Sequence, residues 1–305
     1  MKRDFLHITD FSRDEIDALF DLTARLKREV KEETPHPLLS GKTLAMIFQK
    51  PSARTRVSFE TGMVQLGGHA LFLGPDNVGL GQREATKDLA RLFSRYNDLI
   101  MARVFDHEHI LELGKYATVP VINGLTDYNH PCQIMADIFT VLEHRGHLDD
   151  FSLSFIGDGN NVFHSWMTLA QRLPMKLNLA CPEGYEPDEK LVEATRSAGL
   201  SEVTISHDPF EIISGSDVVY TDVWASMGQE DEAADRAKVF EPFQVNSGLM
   251  KAAGEQAYFM HCLPAHRDDE VTDKVIDSDR SIVFDEAENR MHVQKAIMVT
   301  LMGAA

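Results

Sequence analysis

The chain has 305 residues, of which 43% are apolar and 26% charged, an ordinary globular composition with enough length for two domains. Its 48 acidic residues outnumber 30 lysines and arginines, and the formal net charge of −18 argues against nucleic acid or an anionic membrane as a partner. We see no apolar run that could span a membrane and no signal-peptide pattern, and three cysteines without a CxxC pair fit a reduced, cytoplasmic setting.

The first predicted element is a helix over Phe11–Val30. Ser12 stands at the N-cap position and Glu15 follows three residues later, which together form a capping box. Apolar residues recur behind this start at helical spacing, so we expect one face of the helix to be buried.

The next pattern is strand, turn and helix. Thr43–Phe48 is an apolar run typical of a buried strand, and Ser52 is a good N-cap for the helix that follows. The first helical turn would carry Ser52, Arg54, Thr55 and Arg56. Free N–H groups and the helix dipole already favour an anion there, and two guanidiniums and two hydroxyls would suit a doubly charged phosphate. The alternative is a solvated helix start with two surface arginines.

Strands and helices then alternate along the chain. The predicted strands are Ala70–Leu73, Asp98–Val104, Val119–Asn123, Phe151–Ile156, Leu177–Cys181, Val203–Ser206, Asp217–Asp222, Tyr258–Cys262 and Arg280–Glu286. The predicted helices are Glu84–Tyr96, His109–Ala117, His130–Arg145, Val162–Leu173, Asp188–Ala198 and Asn289–Met302. Gly74–Arg83 contains three glycines and no period, which predicts a loop.

This alternation predicts an α/β fold of two doubly wound parallel-sheet domains with a cleft between them. We place the first domain at residues 1–146 and the second at 151–288, with the polar segment Gly146–Asp150 as the junction. The last helix is apolar on most sides, so we expect residues 289–305 to pack back on the first domain.

Polar residues follow several predicted strands. Arg103 ends one strand, and His130 and Gln133 open the helix after another. Loops at the carboxyl ends of parallel strands open on one side of a sheet, so these residues should converge with Ser52–Arg56. A lone histidine before a helix is more often a cap or a surface residue, and only the coincidence of three such stretches favours a site.

Three further loops follow strands of the second half. Gly157–Asn161, GDGNN, has two glycines of a dinucleotide motif but Val162 in place of the third, so it is weak support for a nicotinamide cofactor. Asp222–Gly228, DVWASMG, and His261–Arg267, HCLPAHR, place a carboxylate and a thiol at strand ends. An N-cap aspartate and a buried cysteine are the plain alternatives.

Four motifs carry a resemblance across nearly the whole chain. SARTR, HPCQ, DVWASMG and HCLP occur in the order found in the aspartate and ornithine carbamoyltransferase family, and the last two resemble its ornithine members. Ala53 departs from the usual threonine or serine of the first motif, which removes one side-chain contact while backbone N–H contacts remain.

The resemblance implies carbamoyl transfer from carbamoyl phosphate to the δ-amine of L-ornithine, without a cofactor or metal and with domain closure over the two substrates. For carbamoyl phosphate, it implies contacts from Ser52, Ala53, Arg54, Thr55, Arg103, His130, Gln133, Cys262, Leu263 and Arg290. Of these, Arg103, His130 and Cys262 would act in catalysis. For ornithine, it implies Asn161, Asp222, Ser226 and Met227, with Asn160 as a possible addition. Arg56 is equally suited to an ion pair that holds the loop.

The resemblance also implies a homotrimer, in which the Gly74–Arg83 loop reaches a neighbouring subunit. Gly79 replaces the polar residue usual there, so Asn77 or Gln82 would make the contact; the alternative is a lid over the chain's own site. Three other functions remain open: transfer to putrescine or an acylated ornithine, a nicotinamide-dependent oxidoreductase, and an inactive scaffold. The sequence favours neither direction of the ornithine reaction.

Overall fold

The computed structural model describes residues 2–81, 83–226, 228 and 230–304, and it divides into two compact units. One unit comprises Met1–Phe139 with Glu288–Ala305, and the other comprises Thr140–Ala287. The described residues contain no helix that combines the length and apolarity needed to cross a membrane.

All strands in the two sheets run parallel to their neighbours. The strands are β1 (Thr43–Phe48), β2 (His69–Leu73), β3 (Leu99–Arg103), β4 (Val121–Leu125), β5 (Ser152–Ile156), β6 (Lys176–Ala180), β7 (Glu202–Ser206), β8 (Val218–Thr221) and β9 (Tyr258–His261). The first unit holds the order β2-β1-β3-β4 and the second holds β7-β6-β5-β8-β9. The predicted fold class of two parallel-sheet α/β domains is therefore confirmed.

Helices occupy most of the remaining chain. They are α1 (Arg13–Lys31), α2 (Ala53–Gln65), α3 (Pro75–Val78), α4 (Thr86–Tyr96), α5 (His107–Tyr116), α6 (Pro131–Arg145), α7 (Asn161–Ala170), α8 (Glu189–Ser197), α9 (Pro209–Ile212), α10 (Ala233–Phe240), α11 (Ser247–Ala253), α12 (Asp273–Ile276) and α13 (Val283–Leu301). The capping box of α1 is confirmed, because Ser12 N donates to Glu15 Oε2 over 2.8 Å and Glu15 N donates to Ser12 Oγ over 3.3 Å.

Most of the C-terminal helix, from Glu288 onward, belongs to the first unit, as the sequence predicts. Lys27 Nζ donates to Asn289 Oδ1 over 2.7 Å, and Lys295 Nζ donates to Gln65 Oε1 over 2.7 Å, so α13 is tied to both α1 and α2. Gly62 permits the close approach of α2, because a Cβ there would lie 3.1 Å from Lys295 Cγ.

One predicted strand, Arg280–Glu286, is wrong. Ser281 forms an isolated bridge to Phe259, and the chain then turns into α13 at Val283. Acidic Asp285 and Glu286 fall in the first turn of that helix, where the dipole favours them. The apolar run that suggested a strand instead leads into the start of a long helix, where Val283 is buried and Phe284 is exposed.

Two smaller predictions also need correction. The Gly74–Arg83 segment contains the short helix α3, with Pro75 at its first position and Val78 buried. The strand predicted at Val119–Asn123 begins two positions later, at Val121, because Pro120 has no N–H to offer the ladder.

Candidate active site

The start of α2 is built as the sequence predicts. Ser52 caps the helix, and its Oγ accepts the N–H of Thr55 over 3.2 Å. Thr55 Oγ1 also accepts a hydrogen bond from Arg290 Nη2 over 2.7 Å, which brings a second guanidinium to the helix start. The Nε of Arg54 is buried, and among the described residues it has no hydrogen-bond partner. This turn therefore combines free helical N–H groups with two guanidiniums, a combination suited to phosphate.

Arg56 has a different surrounding from Arg54. Its guanidinium lies 4.0 Å from the ring centroid of Phe72, and its Nε donates to Glu60 Oε1 over 3.1 Å. The sequence left open whether Arg56 forms an ion pair or contacts substrate. These contacts support the ion pair.

His130 is buried among cations at the carboxyl edge of the first sheet. Burial lowers its pKa well below the usual 6.5, and the charges of Arg290, Arg103, Arg54 and Lys50 lower it further. The imidazole is therefore neutral near pH 7, and it can polarise a carbonyl group without adding a charge.

Lys50 is a cation that sequence reasoning missed. It is buried, forms an ion pair with Asp127, and lies 4.6 Å from the centroid of the Phe105 ring. It lies two residues after the end of β1, so the rule that singled out Arg103 at the end of β3 could have found it.

The residue before His130 is held on several sides. Asn129 is fully buried; its Nδ2 donates to Leu6 O over 3.1 Å and to His7 Nδ1 over 3.0 Å, and its Oδ1 accepts from Asn123 Nδ2 over 2.5 Å. Gln133 lies in the first turn of α6, and its Nε2 donates to Asp137 Oδ1 over 2.8 Å. Both sides of His130 are therefore anchored by buried amide groups.

Three loops of the second unit meet at Asp222. Its Oδ2 accepts from Asn160 Nδ2 over 3.0 Å, and its Oδ1 accepts from Cys262 Sγ over 3.1 Å and from Val223 N over 2.8 Å. Asn160 also caps α7, since its Oδ1 accepts the N–H groups of Val162 and Phe163. The side-chain amide of Asn160 therefore binds both Asp222 and the start of α7. Asn161 is the first residue of that helix.

The glycines of the GDGNN turn serve the packing of the chain. Gly157 has φ of +145°, and a Cβ on Gly159 would lie 2.5 Å from the Pro187 nitrogen and 2.8 Å from the Tyr185 oxygen. Gly159 is required because the backbone at Tyr185–Pro187 passes directly over it. The glycine pattern is explained without a dinucleotide.

His261 supports the loop that begins at Cys262. Leu263 N donates to His261 Nδ1 over 2.8 Å, so the ring proton lies on Nε2, which faces Glu270 Oε1 at 3.1 Å. Ligand atoms of Asp222, His261 and Cys262 lie within 4.8 Å of one another, a spacing that could hold a metal ion. Both nitrogens of His261 are engaged in the hydrogen bonds above, however, so a metal would have to break one of them.

The remaining predicted site residues lie in the Gly74–Arg83 and Asp222–Gly228 segments. Met227 and Gln82 lie outside the described residues, while Ser226 is partly buried just after the Asp222 strand end. Asn77 Oδ1 accepts from Gly74 N over 2.9 Å, and Gly79 ends α3 with φ of +58°. The side-chain oxygen of Asn77 therefore already caps its own chain.

Comparison with known proteins covers both units. The family model for the aspartate/ornithine carbamoyltransferase carbamoyl-P binding domain matches residues 3–143, and the model for the Asp/Orn binding domain matches residues 149–301. The chain is 56% identical over 303 residues to the chloroplastic ornithine carbamoyltransferase of Pisum sativum, covering 99% of this chain and 80% of that protein. It is 52% identical over 306 residues to the ornithine carbamoyltransferase of Thermococcus kodakarensis, covering 99% and 96%.

A solved structure agrees with these sequence matches. The ornithine carbamoyltransferase from Pyrococcus furiosus superposes with a TM-score of 0.94 at 51% identity, covering 99% of this chain and 97% of that one. The similarity thus extends over nearly the whole length of each chain.

Proposed function

The chain belongs to the aspartate/ornithine carbamoyltransferase family, and we propose that it transfers the carbamoyl group of carbamoyl phosphate to the δ-amine of L-ornithine, giving L-citrulline and phosphate. The observation that carries this proposal is the start of α2, where Arg290 reaches Thr55 and the Arg54 Nε has no partner among the described residues. Residues 1–146 with 289–305 would bind carbamoyl phosphate, and residues 151–288 would bind ornithine.

The phosphate would be held at the start of α2. Ser52, Arg54 and Thr55 present hydroxyl, guanidinium and N–H donors there, with the backbone N–H of Ala53 beside them and Arg103 at the end of β3. Charge-assisted hydrogen bonds from donors already in place favour the charge that grows on the leaving phosphate.

The carbamoyl group would lie against His130, Gln133 and Arg290. The neutral imidazole and the guanidinium can both donate to the carbonyl oxygen, where negative charge develops as the amine attacks. The backbone carbonyls of Cys262 and Leu263 would accept hydrogen bonds from the carbamoyl NH₂ group. These contacts would bind the carbamoyl group and not the phosphate.

Ornithine would be selected by its zwitterionic end. Asp222 and Ser226 would accept from the α-ammonium, while Asn161 and the Met227 backbone would bind the α-carboxylate. The carboxylate of Asp222 is buried and held by three donors, which fixes its position before substrate arrives.

In the transfer, the δ-nitrogen of ornithine forms a bond to the carbamoyl carbon. The bond from that carbon to the bridging oxygen breaks, and the electron pair leaves with the phosphate. The attacking nitrogen loses a proton, which the departing phosphate can accept. No redox step or cofactor enters this balance.

We further propose a homotrimer in the cytoplasm. Val57 and Val64 are exposed on the outer side of α2, and Leu71 is exposed on the neighbouring edge strand β2. Apolar side chains grouped in this way are typical of a subunit interface. The buried Cys132 and Cys181 thiols are both free, which fits a reducing compartment.

Sharing of the site between subunits can be tested with two inactive variants. One is Arg54→Ala, and the other is Asn77→Gly/Gln82→Gly, which leaves the buried Val78 and Leu80 in place. If Asn77 or Gln82 serves a neighbouring site, mixing the variants under subunit exchange should restore part of the activity. Exchange confirmed by mass without recovered activity would contradict sharing.

The proposed reaction itself is tested by its stoichiometry. We expect the metal-stripped protein to form citrulline and phosphate in equal amounts from carbamoyl phosphate and ornithine. Phosphate release that does not depend on ornithine, or a requirement for an added cofactor, would contradict the proposal.

A further inference from the structure

Arg236 of α10 joins two loops of the second unit. Its Nε donates to the backbone oxygen of Trp224, and its Nη2 donates to the carboxylate of Asp158. The guanidinium is buried, with 7% of the side chain exposed against 17% for Asp158. A single planar cation thus bridges the loop after β5 and the loop after β8.

Two aromatic rings hold this guanidinium in place. It lies 4.8 Å from the ring centroid of Tyr185 and 5.2 Å from that of Phe240, and the two rings meet edge to face at 4.7 Å. Tyr185 O also accepts the N–H of Gly159, so the same aromatic residue touches both Arg236 and the Asp158 turn. A planar fork stacked in this way keeps its hydrogen-bond directions fixed.

The bridged loops carry the residues assigned to ornithine. Asp158 lies two residues before Asn160, which donates to Asp222, and Trp224 lies midway between Asp222 and Ser226. The arginine therefore fixes the spacing between the Asn160–Asn161 turn and the Asp222–Ser226 segment.

Arg236 also compensates the negative charge of Asp158. Burial raises the pKa of Asp158, the nearby Asp222 raises it as well, and the charge and hydrogen bond of Arg236 lower it. Without the guanidinium, the largely buried Asp158 would lose its cation while the negative charge of Asp222 still acts on it, an arrangement that proteins disfavour.

We propose that Arg236 is a positioning residue for ornithine: it holds the Asp158 turn and the Trp224 segment together so that Asp222 is aligned with the α-ammonium. This inference rests on the proposed function. Arg236 itself touches no substrate, and it acts through the two loops.

The test compares Arg236→Gln, Arg236→Lys, Asp158→Asn and the double variant Arg236→Gln/Asp158→Asn with wild type. Lys238→Gln is the matched control, because it removes a cation of the same helix that forms an ion pair with exposed Asp235. We measure the KM for each substrate, kcat, and the binding of carbamoyl phosphate alone by calorimetry.

Arg236→Gln should raise the ornithine KM by about 100-fold, the effect expected of a misplaced binding group. Carbamoyl phosphate binding should not change, Arg236→Lys should give a smaller rise, and Lys238→Gln should match wild type. The double variant should recover part of the loss, because replacing Asp158 with a neutral amide removes the buried charge that Arg236→Gln leaves unpaired.

An equal loss for both substrates, or a double variant whose loss is the product of the two single losses, would overturn the inference. If Arg236→Gln does not fold, Arg236→Lys and the double variant decide by the same comparison. An inactive wild type would instead contradict the proposed function, so the two failures are distinguishable.

Discussion

Arg290 Nη2 donates to Thr55 Oγ1 over 2.7 Å, although 235 positions separate the two residues. The bond joins the C-terminal helix α13 to the first turn of α2. It delivers a cation to a helix start that already carries Arg54, which explains why the last helix has to return to the first unit. The anion site is therefore complete only when α13 is packed against the start of α2.

Arg54 should contribute to the transition state and not to the fold. Its Nε is buried, and it has no hydrogen-bond partner among the described residues, so its removal breaks no such bond. Arg54→Ala should lose about 2–4 kcal/mol of transition-state stabilisation while the unfolding midpoint stays close to wild type. Arg13→Ala, which loses an exposed ion pair with Asp17, is the control. Near-normal turnover of Arg54→Ala would remove this residue from the site.

Asp222 should discriminate between the two substrates. Asp222→Asn keeps an acceptor for Val223 N but removes the charge that pairs with the α-ammonium, and it places an NH₂ group near that of Asn160. Ornithine affinity should fall far more than carbamoyl phosphate affinity when each is titrated by calorimetry. If both affinities fall equally, Asp222 has a structural role.

Glu270 should act through its acceptor oxygen and not through its charge. Oε1 accepts from His261 Nε2 over 3.1 Å and from His266 N over 2.6 Å, and the carboxylate is fully buried. Glu270→Ala leaves those donors unsatisfied and should cost about 1–3 kcal/mol for each. Glu270→Gln retains an oxygen and should unfold in urea nearly as wild type does. A glutamine variant as unstable as the alanine variant would show that the charge itself is needed.

Buried histidines should make the protein less stable in acid. Burial and the charges of Lys295 and Lys27 lower the pKa of His292 to about 3, below the unfolded value near 6.5. The unfolded chain therefore binds more protons below about pH 6.5, so this contribution is complete above that pH and is lost as the pH falls towards about 3. The loss is at most about 1.4 kcal/mol per pH unit for one such group.

Urea unfolding between about pH 7 and pH 4 measures this loss. His292→Gln should give a flatter dependence of the free energy of unfolding on pH than wild type, whereas the exposed His147→Gln should not. Parallel curves for His292→Gln and wild type would assign the acid sensitivity to other groups.

Local signals explain what the sequence could predict. The cap at Ser52, the helix behind it and the strand Thr43–Phe48 depend on neighbouring residues, and the structure places them where the pattern did. The rule that loops at the carboxyl ends of parallel strands converge was enough to group Arg103 with His130.

Long-range partners explain what it could not predict. Arg236 pairs with Asp158, and Glu270 pairs with His261. No local sequence pattern predicts either contact. The strand predicted at Arg280–Glu286 is wrong for a different reason: its apolar run suits a strand, but helix α13 begins at Val283 and takes the rest of the segment. Tertiary packing overrode the local preference there.

The reaction proposed for this chain is carbamoylation of the δ-amine of ornithine. The most direct measurement is kcat/KM with carbamoyl phosphate and a panel of ornithine, putrescine, N-acetylornithine and aspartate, followed by product identification. The contacts proposed for the zwitterionic end predict that ornithine is preferred by at least about 100-fold over putrescine, which lacks the α-carboxylate, and over N-acetylornithine, which lacks the α-ammonium. Aspartate has both groups but no δ-amine, so it should not react. A comparable or higher kcat/KM with putrescine, N-acetylornithine or aspartate would contradict ornithine as the substrate.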